Sequence, residues 1–263
     1  MHRRAVLLTL LCTGASAQVQ PRPDAALEEW ALRFSREIDL RLAVPLTAQK
    51  HYVDLLTEAL GHTHAADAAP QTYVLADRNP NIQAVMLLVH NESGWHWLGA
   101  TAASTGKPGT YEHFLTPLGV FSHTLDNPDF RAEGTFNENN IRGYGLKGMR
   151  VFDFGWQTAE RGWGKGGTSL MRLQMHATDP AILEQRLGTV QSEGCIRIPA
   201  SLNRFLDHYG VLDAAYEEAA RAGANLWILP KNRQPMPWPG RYLVVVDSGA
   251  SERPEWARLP KRK

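Results

Sequence analysis

The sequence predicts a mainly β domain with peripheral helices, preceded by an N-terminal helical hairpin. Three observations lead to this prediction. Two amphipathic helical patterns fill the first part of the chain, short apolar runs separated by turn residues follow from residue 72, and helical patterns return after residue 199. Short apolar runs bounded by turn residues are typical of β architecture. With 263 residues and 43% hydrophobic content, the chain is long enough to bury a core without disulfides or metals.

The chain divides into four predicted segments, and its charge excludes one class of partner. The segments are a signal peptide at 1–17, a helical segment at 18–70, the main β domain at 72–230, and a proline-rich linker with a short strand and a basic tail at 231–263. The 28 Lys and Arg residues balance 27 Asp and Glu residues, giving a net charge of +1. No field of one sign is available to attract nucleic acid, so we expect no nucleic-acid partner. The sequence does not indicate an oligomeric state.

The N-terminus has the pattern of an export signal. Basic residues at 2–4 precede an apolar run at 5–11 and the small-residue site Ala15-Ser16-Ala17. We expect cleavage after this site and a periplasmic mature protein. Acylation of Cys12 is the alternative, but Leu11 is larger than the residue that usually precedes a lipidated cysteine. No later apolar run approaches the roughly 20 residues that span a bilayer, so we expect no transmembrane anchor.

Two helices are predicted before residue 62. The first begins at Asp24, a candidate N-cap, because apolar residues recur every three or four positions as Leu27, Trp30, Ala31, Phe34, Ile38 and Leu42. The second begins with Thr47 as its N-cap and ends at Gly61. We expect the two helices to pack as a hairpin on a larger body.

A polar loop follows the second helix and contains His62, His64 and Asp67. Two histidines separated by one residue can share a metal ion. No third ligand follows at a fixed offset, however, and a solvated loop is the preferred interpretation. We therefore expect no bound metal and no cofactor.

Short strands and long loops are predicted from residue 72 to residue 154. Glycine-rich segments at 104–110 and 162–168 are predicted to be flexible loops, and the second is a candidate lip beside a site. The segment 127–147 is typical of an elaborated surface or binding loop. The predicted strands cover 73–75, 82–89, 95–99, 116–121 and 149–154.

The strand predicted from Ser169 to Thr178 has two different faces. Side chains alternate across a strand, which separates two sets of residues. The apolar set belongs in the core, and His176 is then predicted to point towards a polar cleft. A histidine on a solvated strand face is the alternative. The apolar set is Met171, Leu173, Met175 and Ala177, and the polar set is Arg172, Gln174 and His176.

Cys195 lies 19 residues after His176, in the stretch Gln191–Pro199. If Cys12 leaves with the signal peptide, Cys195 has no intramolecular partner in a compartment that favours disulfides. It is then either a buried, inert cysteine or a reactive thiol. The same alternation puts Cys195 and Arg197 on one side of the chain, so both would face the cleft of His176 if the two strands pair.

The C-terminal third is predicted to contain two helices and two strands. The helices cover 199–210 and 213–221, and a short helix with Gly188 as its stop is predicted before them. The strands cover 226–229 and 242–246.

This set of residues supports cysteine-dependent acyl transfer. A thiol attacks an acyl carbon as the thiolate, and His176 would accept the thiol proton and return one to the leaving amine. Arg197 offers planar donors for a carboxylate or a carbonyl group. Gly194 allows a close approach of the backbone, and the amides of Gly194 and Cys195 would stabilise a tetrahedral oxyanion.

Residues 80 to 230 resemble the L,D-transpeptidase (YkuD-like) catalytic domain of cell-wall enzymes. The resemblance implies a β-sandwich or barrel, with Cys195 taking an acyl group from a peptidoglycan stem tetrapeptide and releasing the terminal D-alanine. It implies His176 as base and acid, Gly194 and Cys195 at the oxyanion, Ser192 in the substrate-binding loop, and Arg197 as a substrate or loop organiser. The motifs are Ser104–Gly109, Thr116–Gly119, His176, Leu187-Gly188 and Ser192-x-Gly194-Cys195-Ile196-Arg197-Ile198.

Two residues depart from the family pattern. Glu193 stands where the family commonly has histidine, and its carboxylate would oppose formation of the thiolate if both faced one cavity. Ala177 stands where glycine or serine is common, which leaves a backbone carbonyl as the expected partner of His176.

The resemblance leaves the fate of the acyl group open. It passes to an amine of a second stem, to another amine or to water, so an L,D-carboxypeptidase or a wall-protein linkage hydrolase is the nearest alternative. A non-catalytic peptidoglycan-binding module is the alternative of another class. An activated Cys195 is expected to be alkylated well below the pKa of about 8.5 of an ordinary thiol.

Overall fold

The computed structural model describes residues 23–63, 65 and 70–260. The chain forms four helices and nine strands over these residues. Several sequence predictions lie outside the described residues, namely the signal peptide at 1–17, Cys12, His64, Asp67 and the side chain of Asp24.

Helices and strands alternate in blocks along the chain. The helices are α1 (Pro23–Glu37), α2 (Leu46–Gly61), α3 (Ala200–His208) and α4 (Ala214–Arg221). The strands are β1 (Gln71–Asp77), β2 (Ala84–Asn91), β3 (Gly94–Ala102), β4 (Gly119–Ser122), β5 (Phe130–Arg131), β6 (Arg150–Glu160), β7 (Thr168–Ala177), β8 (Ile196–Ile198) and β9 (Tyr242–Val246).

The strands form two mixed sheets. The first has the order β3-β2-β1-β9-β4, and the second has the order β5-β6-β7-β8. One strand pair in each sheet is parallel, β1 with β9 and β7 with β8, and the other pairs are antiparallel. The mainly β prediction with peripheral helices is therefore confirmed, and neither sheet closes into a barrel over the residues described.

The first sheet is covered on both faces. Alternate residues of β1 enter different cores, with Val74 in the central core and Tyr73 in an outer core. The central core also contains Phe34 of α1 together with Leu173 of the second sheet, whereas the outer core contains Leu56 of α2. The helices α1 and α2 therefore lie on opposite faces of the first sheet, and the predicted helical hairpin is wrong.

The segment between the two helices explains why they separate. The amide of Leu42 donates to the carbonyl of Ala100 at 2.9 Å, and the amide of Ala102 donates to the carbonyl of Leu40 at 3.0 Å. This stretch therefore runs along the free edge of β3 and carries the chain from one face of the sheet to the other. The pairing also ends α1 at Glu37, earlier than the predicted Leu42, because the backbone groups that would extend the helix bond to the strand instead.

Three other local predictions differ from the structure. Helix α2 begins at Leu46 after Pro45 without a side-chain cap, so Thr47 is not its N-cap. The predicted strand at 226–229 is a turn, closed by a hydrogen bond from the Leu229 amide to the Leu226 carbonyl. The short helix before Gly188 is a single 3₁₀ turn at Glu184–Arg186.

The last strand belongs to the interior of the first sheet. β9 lies between β1 and β4, in the order given above, and residues 243–246 are buried. The predicted boundary at residue 230 thus separates strands that pair in one sheet. None of the described helices is long and apolar enough to cross a membrane.

A buried charge cluster ties β6 to the segments on either side of it. Arg150 is fully buried, and its guanidinium makes two 2.7 Å hydrogen bonds to Asp213 and one of 2.6 Å to Asp129. Asp129 also accepts from His123 at 2.9 Å. Burial of one cation between two carboxylates is tolerated because each charge has a hydrogen-bonded partner.

Candidate active site

The pairing of β7 with β8 brings three predicted site residues together. His176 lies opposite Arg197 in the register of this parallel pair, and Cys195 directly precedes β8. The Cys195 thiol donates to the carbonyl of Arg172 on β7, with a sulfur to oxygen distance of 3.7 Å. Cys195 and Arg197 are two residues apart and Arg197 lies opposite His176, so the register brings the three residues to one part of the second sheet. The charge of Arg197 accordingly acts to lower the pKa of both His176 and Cys195.

The imidazole of His176 has a defined proton position. Its side chain is almost fully buried at 4% exposure, and Nδ1 donates to the carbonyl of Ala177 at 2.7 Å. A backbone carbonyl was the expected partner of His176, and it is the carbonyl of Ala177 itself. Since the bond places the proton on Nδ1, Nε2 is left as the ring atom that accepts a proton.

His176 is neutral at pH 7. Burial lowers its pKa to about 4, the bond to Ala177 opposes this shift, and the positive charge of Arg197 adds to it. A neutral imidazole is the form that a general base requires.

Cys195 is an unpaired, partly exposed cysteine and is a thiol at rest. Burial raises its pKa to about 11, the backbone amide of Gln174 and the charge of Arg197 oppose this shift, and Glu193 and Asp153 add to it. No hydrogen bond joins Cys195 to His176, although both residues are described. Both groups are therefore neutral at rest, and they do not form an ion pair.

Ser192 shapes the cysteine loop from inside. Its side chain is buried, its hydroxyl donates to the carbonyl of Cys195 at 2.5 Å, and the same oxygen accepts from the Gly194 amide at 3.1 Å. Ser192 is therefore used within the loop rather than facing a substrate. The Gly194 amide already has a partner, while the Cys195 amide donates to no described residue and is the better oxyanion donor.

Thr116 connects the cysteine loop to two other motif segments. Its hydroxyl donates to the carbonyl of Gly194 at 2.6 Å and accepts from the Gly106 amide at 2.9 Å. Segments that lie about 80 residues apart in the sequence are thus joined at one buried hydroxyl. These two hydrogen bonds hold the loop in place, because the fold would be destabilised if the buried hydroxyl of Thr116 lost its partners.

Two glycines are required by the geometry of this junction. Gly194 has φ of +133°, and a Cβ there would lie 2.7 Å from the sulfur of Met171. At Gly106 a Cβ would lie 1.9 Å from the carbonyl oxygen of Phe114. Any other residue would be strained by the positive φ at Gly194, and its Cβ would clash at either position.

The predicted lip lies next to the cysteine loop. The ring of Trp163 packs edge-on against Phe114 with a centroid distance of 4.8 Å, and Phe114 borders Gly194. The carbonyl of Gly162 accepts from the Gly109 amide, and the Gly162 amide donates to the carbonyl of His113. These bonds anchor the lip to the preceding loop. The glycine-rich segment 162–168 is therefore linked to the cysteine loop through Phe114.

The side chain of Glu193 is open to solvent. The carbonyl oxygen of Glu193 accepts from the Phe114 amide at 3.0 Å. The carboxylate makes no ion pair or hydrogen bond with any described residue. It therefore does not share an enclosed cavity with Cys195, although its charge still adds to the raised pKa of that thiol after the effect of burial.

Arg197 is a cation without a carboxylate partner among the described residues. Its Nη1 donates to the carbonyl of Gln191 at 3.3 Å, and its Nε is buried with no partner. Burial lowers its pKa, and two groups oppose that shift, Cys195 when its thiol is ionised and the carboxylate of Glu193. An unpaired guanidinium beside the thiol has the donors to bind a carboxylate of a substrate.

Tyr144 is a site residue that the sequence did not single out. Its ring packs edge-on against His176 with a centroid distance of 4.7 Å, and its hydroxyl donates to Gln174 Oε1 at 3.2 Å. Gly145, at φ of +85°, sets the loop against β7, where a Cβ would lie 2.9 Å from that of Ala177. The one available signal was the tyrosine beside a glycine within a long predicted loop.

Asp153 on β6 organises the polar face of β7. Its Oδ2 accepts from Arg172 Nε at 2.8 Å and from Gln174 Nε2 at 2.9 Å. Gln174 in turn accepts from Tyr144, and the carbonyl of Arg172 accepts from Cys195. One carboxylate therefore fixes two residues that contact the site.

The described ranges 23–63, 65 and 70–260 contain no cluster of potential metal ligands. No group of three His, Cys, Asp or Glu side chains there lies close enough to hold an ion. Of the three polar-loop residues only His62 is described, and it is exposed.

Solved structures with distant similarity to this chain include the following two. No family model and no curated protein matches the chain. The solved structure of Bd1075 from Bdellovibrio bacteriovorus is similar over 68% of this chain and 48% of its own, with 13% identity and a TM-score of 0.36. A fused Zn-dependent amidase/peptidase/peptidoglycan-binding domain-containing protein from Clostridium acetobutylicum is similar over 87% of this chain and 65% of its own, with 11% identity and a TM-score of 0.30. The chain thus spans less than two thirds of the length of either protein.

Proposed function

We propose that this chain is an exported, periplasmic L,D-transpeptidase that acts on peptidoglycan stem peptides through a thioacyl intermediate. The observation that carries the proposal is the pairing of β8 with β7, which sets Arg197 opposite His176 and bonds the Cys195 thiol to the strand that carries His176. The ordered sequence motifs supply the substrate class. Three of these motif segments meet at Thr116, which supports their belonging to one site.

The acyl-transfer step uses the neutral pair found at rest. As Cys195 Sγ attacks the stem carbonyl carbon, His176 Nε2 takes the thiol proton and the Cys195 amide donates to the developing oxyanion. The C–N bond then breaks, and His176 returns the proton to the amine of the departing D-alanine. Because the pKa of the thiol lies near 11 and that of the imidazole near 4, the proton moves while the C–S bond forms.

Arg197 is proposed to orient the donor stem. Its guanidinium lies beside the thiol and lacks a protein carboxylate. Stem peptides carry free carboxylates, which bind a planar guanidinium through paired hydrogen bonds.

Incubation of the full chain with stem tetrapeptides tests the proposal. The wild type should release D-alanine and carry, by intact mass spectrometry, an adduct equal to the stem minus D-alanine. Cys195→Ala should abolish both signals, and His176→Asn should slow release by roughly 100-fold or more. Release of D-alanine by Cys195→Ala at the wild-type rate would refute the cysteine mechanism.

The products distinguish the related activities. Adding an amine acceptor should convert part of the hydrolysed stem into an amide-linked product if the protein is a transpeptidase. Hydrolysed stem alone, whatever acceptor is present, would identify an L,D-carboxypeptidase. Release of a wall-bound protein fragment rather than D-alanine would identify a linkage hydrolase.

One observation favours a non-catalytic wall-binding module as a second candidate. The thiol pKa is raised to about 11, and the thiol donates to a backbone carbonyl instead of the imidazole. In that case the wild type and Cys195→Ala would bind purified peptidoglycan equally, and neither would release D-alanine.

A further inference from the structure

Glu193 is an unpaired carboxylate at the rim of the thiol site. It lies two residues before Cys195, and its side chain is exposed and forms no ion pair with a cation among the described residues. Its backbone position is fixed, because its carbonyl accepts from Phe114 and the neighbouring Ser192 closes the loop. The backbone that carries this negative charge is therefore held by hydrogen bonds two residues from Cys195.

The charge of Glu193 reaches the groups that surround the reacting centre. It acts on Cys195, on Arg197 and on Tyr144, in each case after the larger effect of burial on the pKa. The other carboxylate that acts on Cys195 is Asp153, which is already paired with Arg172. Glu193 is thus the unpaired negative charge at this site.

The site consequently has opposite charges at two depths. Arg197 is half-buried beside the thiol and lacks a carboxylate, whereas Glu193 is exposed at the rim and lacks a cation. A ligand that completes both would present a carboxylate to the interior and an ammonium group to the rim. Charges at a mouth select ligands of opposite sign and raise their local concentration.

We propose that Glu193 binds the ammonium group of an incoming amine acceptor, so that the thioacyl intermediate is resolved by transfer to a cationic amine in preference to water. This inference rests on the proposed function and assigns to Glu193 the binding of the acceptor at the same site. Arg197 holds the donor stem on the inner side, and Glu193 collects the acceptor on the outer side.

The chemistry of the transfer step is balanced without a further reactant. The bound ammonium group first loses one proton to solvent. The amine nitrogen then attacks the thioester carbonyl, a C–N bond forms and the C–S bond breaks. The second amine proton passes through His176 Nε2 to the sulfur of Cys195. The products are an amide and the free thiol.

A first experiment measures the rim charge without relying on peptidoglycan chemistry. Cys195 is modified with methanethiosulfonates of similar size, one bearing trimethylammonium and one bearing sulfonate, at low salt. Glu193→Gln should lower the ratio of cationic to anionic reaction rates by about fivefold, and salt should reduce the difference. The ratio cancels any change in thiol reactivity common to both reagents.

Glu92→Gln is the matched control. Glu92 is also exposed, but it lies in the turn between β2 and β3 of the other sheet and does not act on the pKa of Cys195. This variant should keep the wild-type rate ratio. An unchanged ratio in Glu193→Gln would overturn the assignment of the rim charge.

A second experiment tests the acceptor. The ratio of transfer to hydrolysis is measured with a stem tetrapeptide donor and either a cationic diamino acid or hydroxylamine, which is neutral at pH 7. Glu193→Gln should lower the transfer ratio about fivefold for the cationic acceptor and leave it unchanged for the neutral one.

The outcomes separate the two proposals. Equal loss of transfer to both acceptors, or no loss to either, would overturn the ammonium assignment even if the reagent ratio shifts. Absence of D-alanine release from the wild type would overturn the proposed function and the acceptor role together. The reagent ratio would then still show whether Glu193 sets the charge preference at the thiol.

Discussion

His176 donates its Nδ1 proton to the carbonyl of Ala177, its own neighbour in the strand, at 2.7 Å. The bond needs no side chain from a third residue, so the imidazole is oriented by the strand that carries it. It also commits one ring nitrogen as a donor, and protonation of the other removes the only proton acceptor that His176 offers.

The acid limit of activity is expected near pH 4. Because burial lowers the pKa of His176 to about 4 from an ordinary value of about 6.5, Nε2 stays free to accept a proton throughout pH 5 to 7. The rate kcat/KM for D-alanine release should therefore fall only as the pH drops through about 4. Circular dichroism at each pH provides the control for folding. An acid limb near pH 6.5 would contradict the buried, neutral imidazole.

Tyr144 is expected to shield the imidazole of His176 from water. Tyr144→Ala removes the ring that covers the imidazole, and water entering the gap should raise the pKa of His176 towards its ordinary value. The acid limb of kcat/KM should then move upwards by one pH unit or more. Tyr144→Phe keeps the ring and loses only the bond to Gln174, so its limb should stay at the wild-type position. A limb that does not move in Tyr144→Ala would rule out this positioning role.

Alkylation of the folded protein should be slow at neutral pH. Burial raises the pKa of Cys195 to about 11, so the thiolate fraction grows only at high pH, unlike the activated thiol that the sequence alone suggested. The iodoacetamide rate at Cys195, followed by peptide mass spectrometry, should rise through about pH 11. The urea-unfolded chain serves as the control and should titrate near the ordinary value of about 8.5. A midpoint at or below 8.5 in the folded protein would be incompatible with the neutral resting pair.

Removal of the Arg150 side chain should strongly destabilise the fold. Arg150→Ala removes the guanidinium bonded to the buried carboxylate of Asp213 and leaves Asp129 with His123 alone, and breaking such a buried pair typically costs about 3–5 kcal/mol. The free energy of unfolding in urea measures the loss. Arg241→Ala breaks the exposed pair with Glu218 and should cost no more than about 1 kcal/mol. Equal losses in the two variants would show that burial does not govern the strength of the Arg150 cluster.

The face on which His176 lies could be predicted because strand alternation is a local rule. Leu173 and Met175 enter the core as expected, and His176 lies opposite Arg197 on the other face of the strand. The rule needs no information beyond neighbouring residues.

The remaining features depend on contacts that local patterns do not encode. The apolar stripe of α1 predicts that the helix is buried, but not which face of a sheet it covers. Arg150 in a strand suggests a solvated side chain, whereas its partners Asp129 and Asp213 lie 21 and 63 residues away. Tyr144 lies in an irregular loop without periodicity, so only the folded chain brings it to His176.

The position of β9 has a consequence for how the molecule is assembled. β1 and β4 share no ladder of their own, and each pairs with β9, which comes from near the end of the chain. Strand pairs that lie far apart in the sequence form slowly, because closing the long loop between them loses conformational entropy before the strand contacts form. During biogenesis the first sheet therefore stays incomplete, with two unpaired strand edges, until the segment around Val244 has emerged. The export proposed for this chain would benefit from such a delay, since its five-stranded sheet cannot be completed before β9 is available.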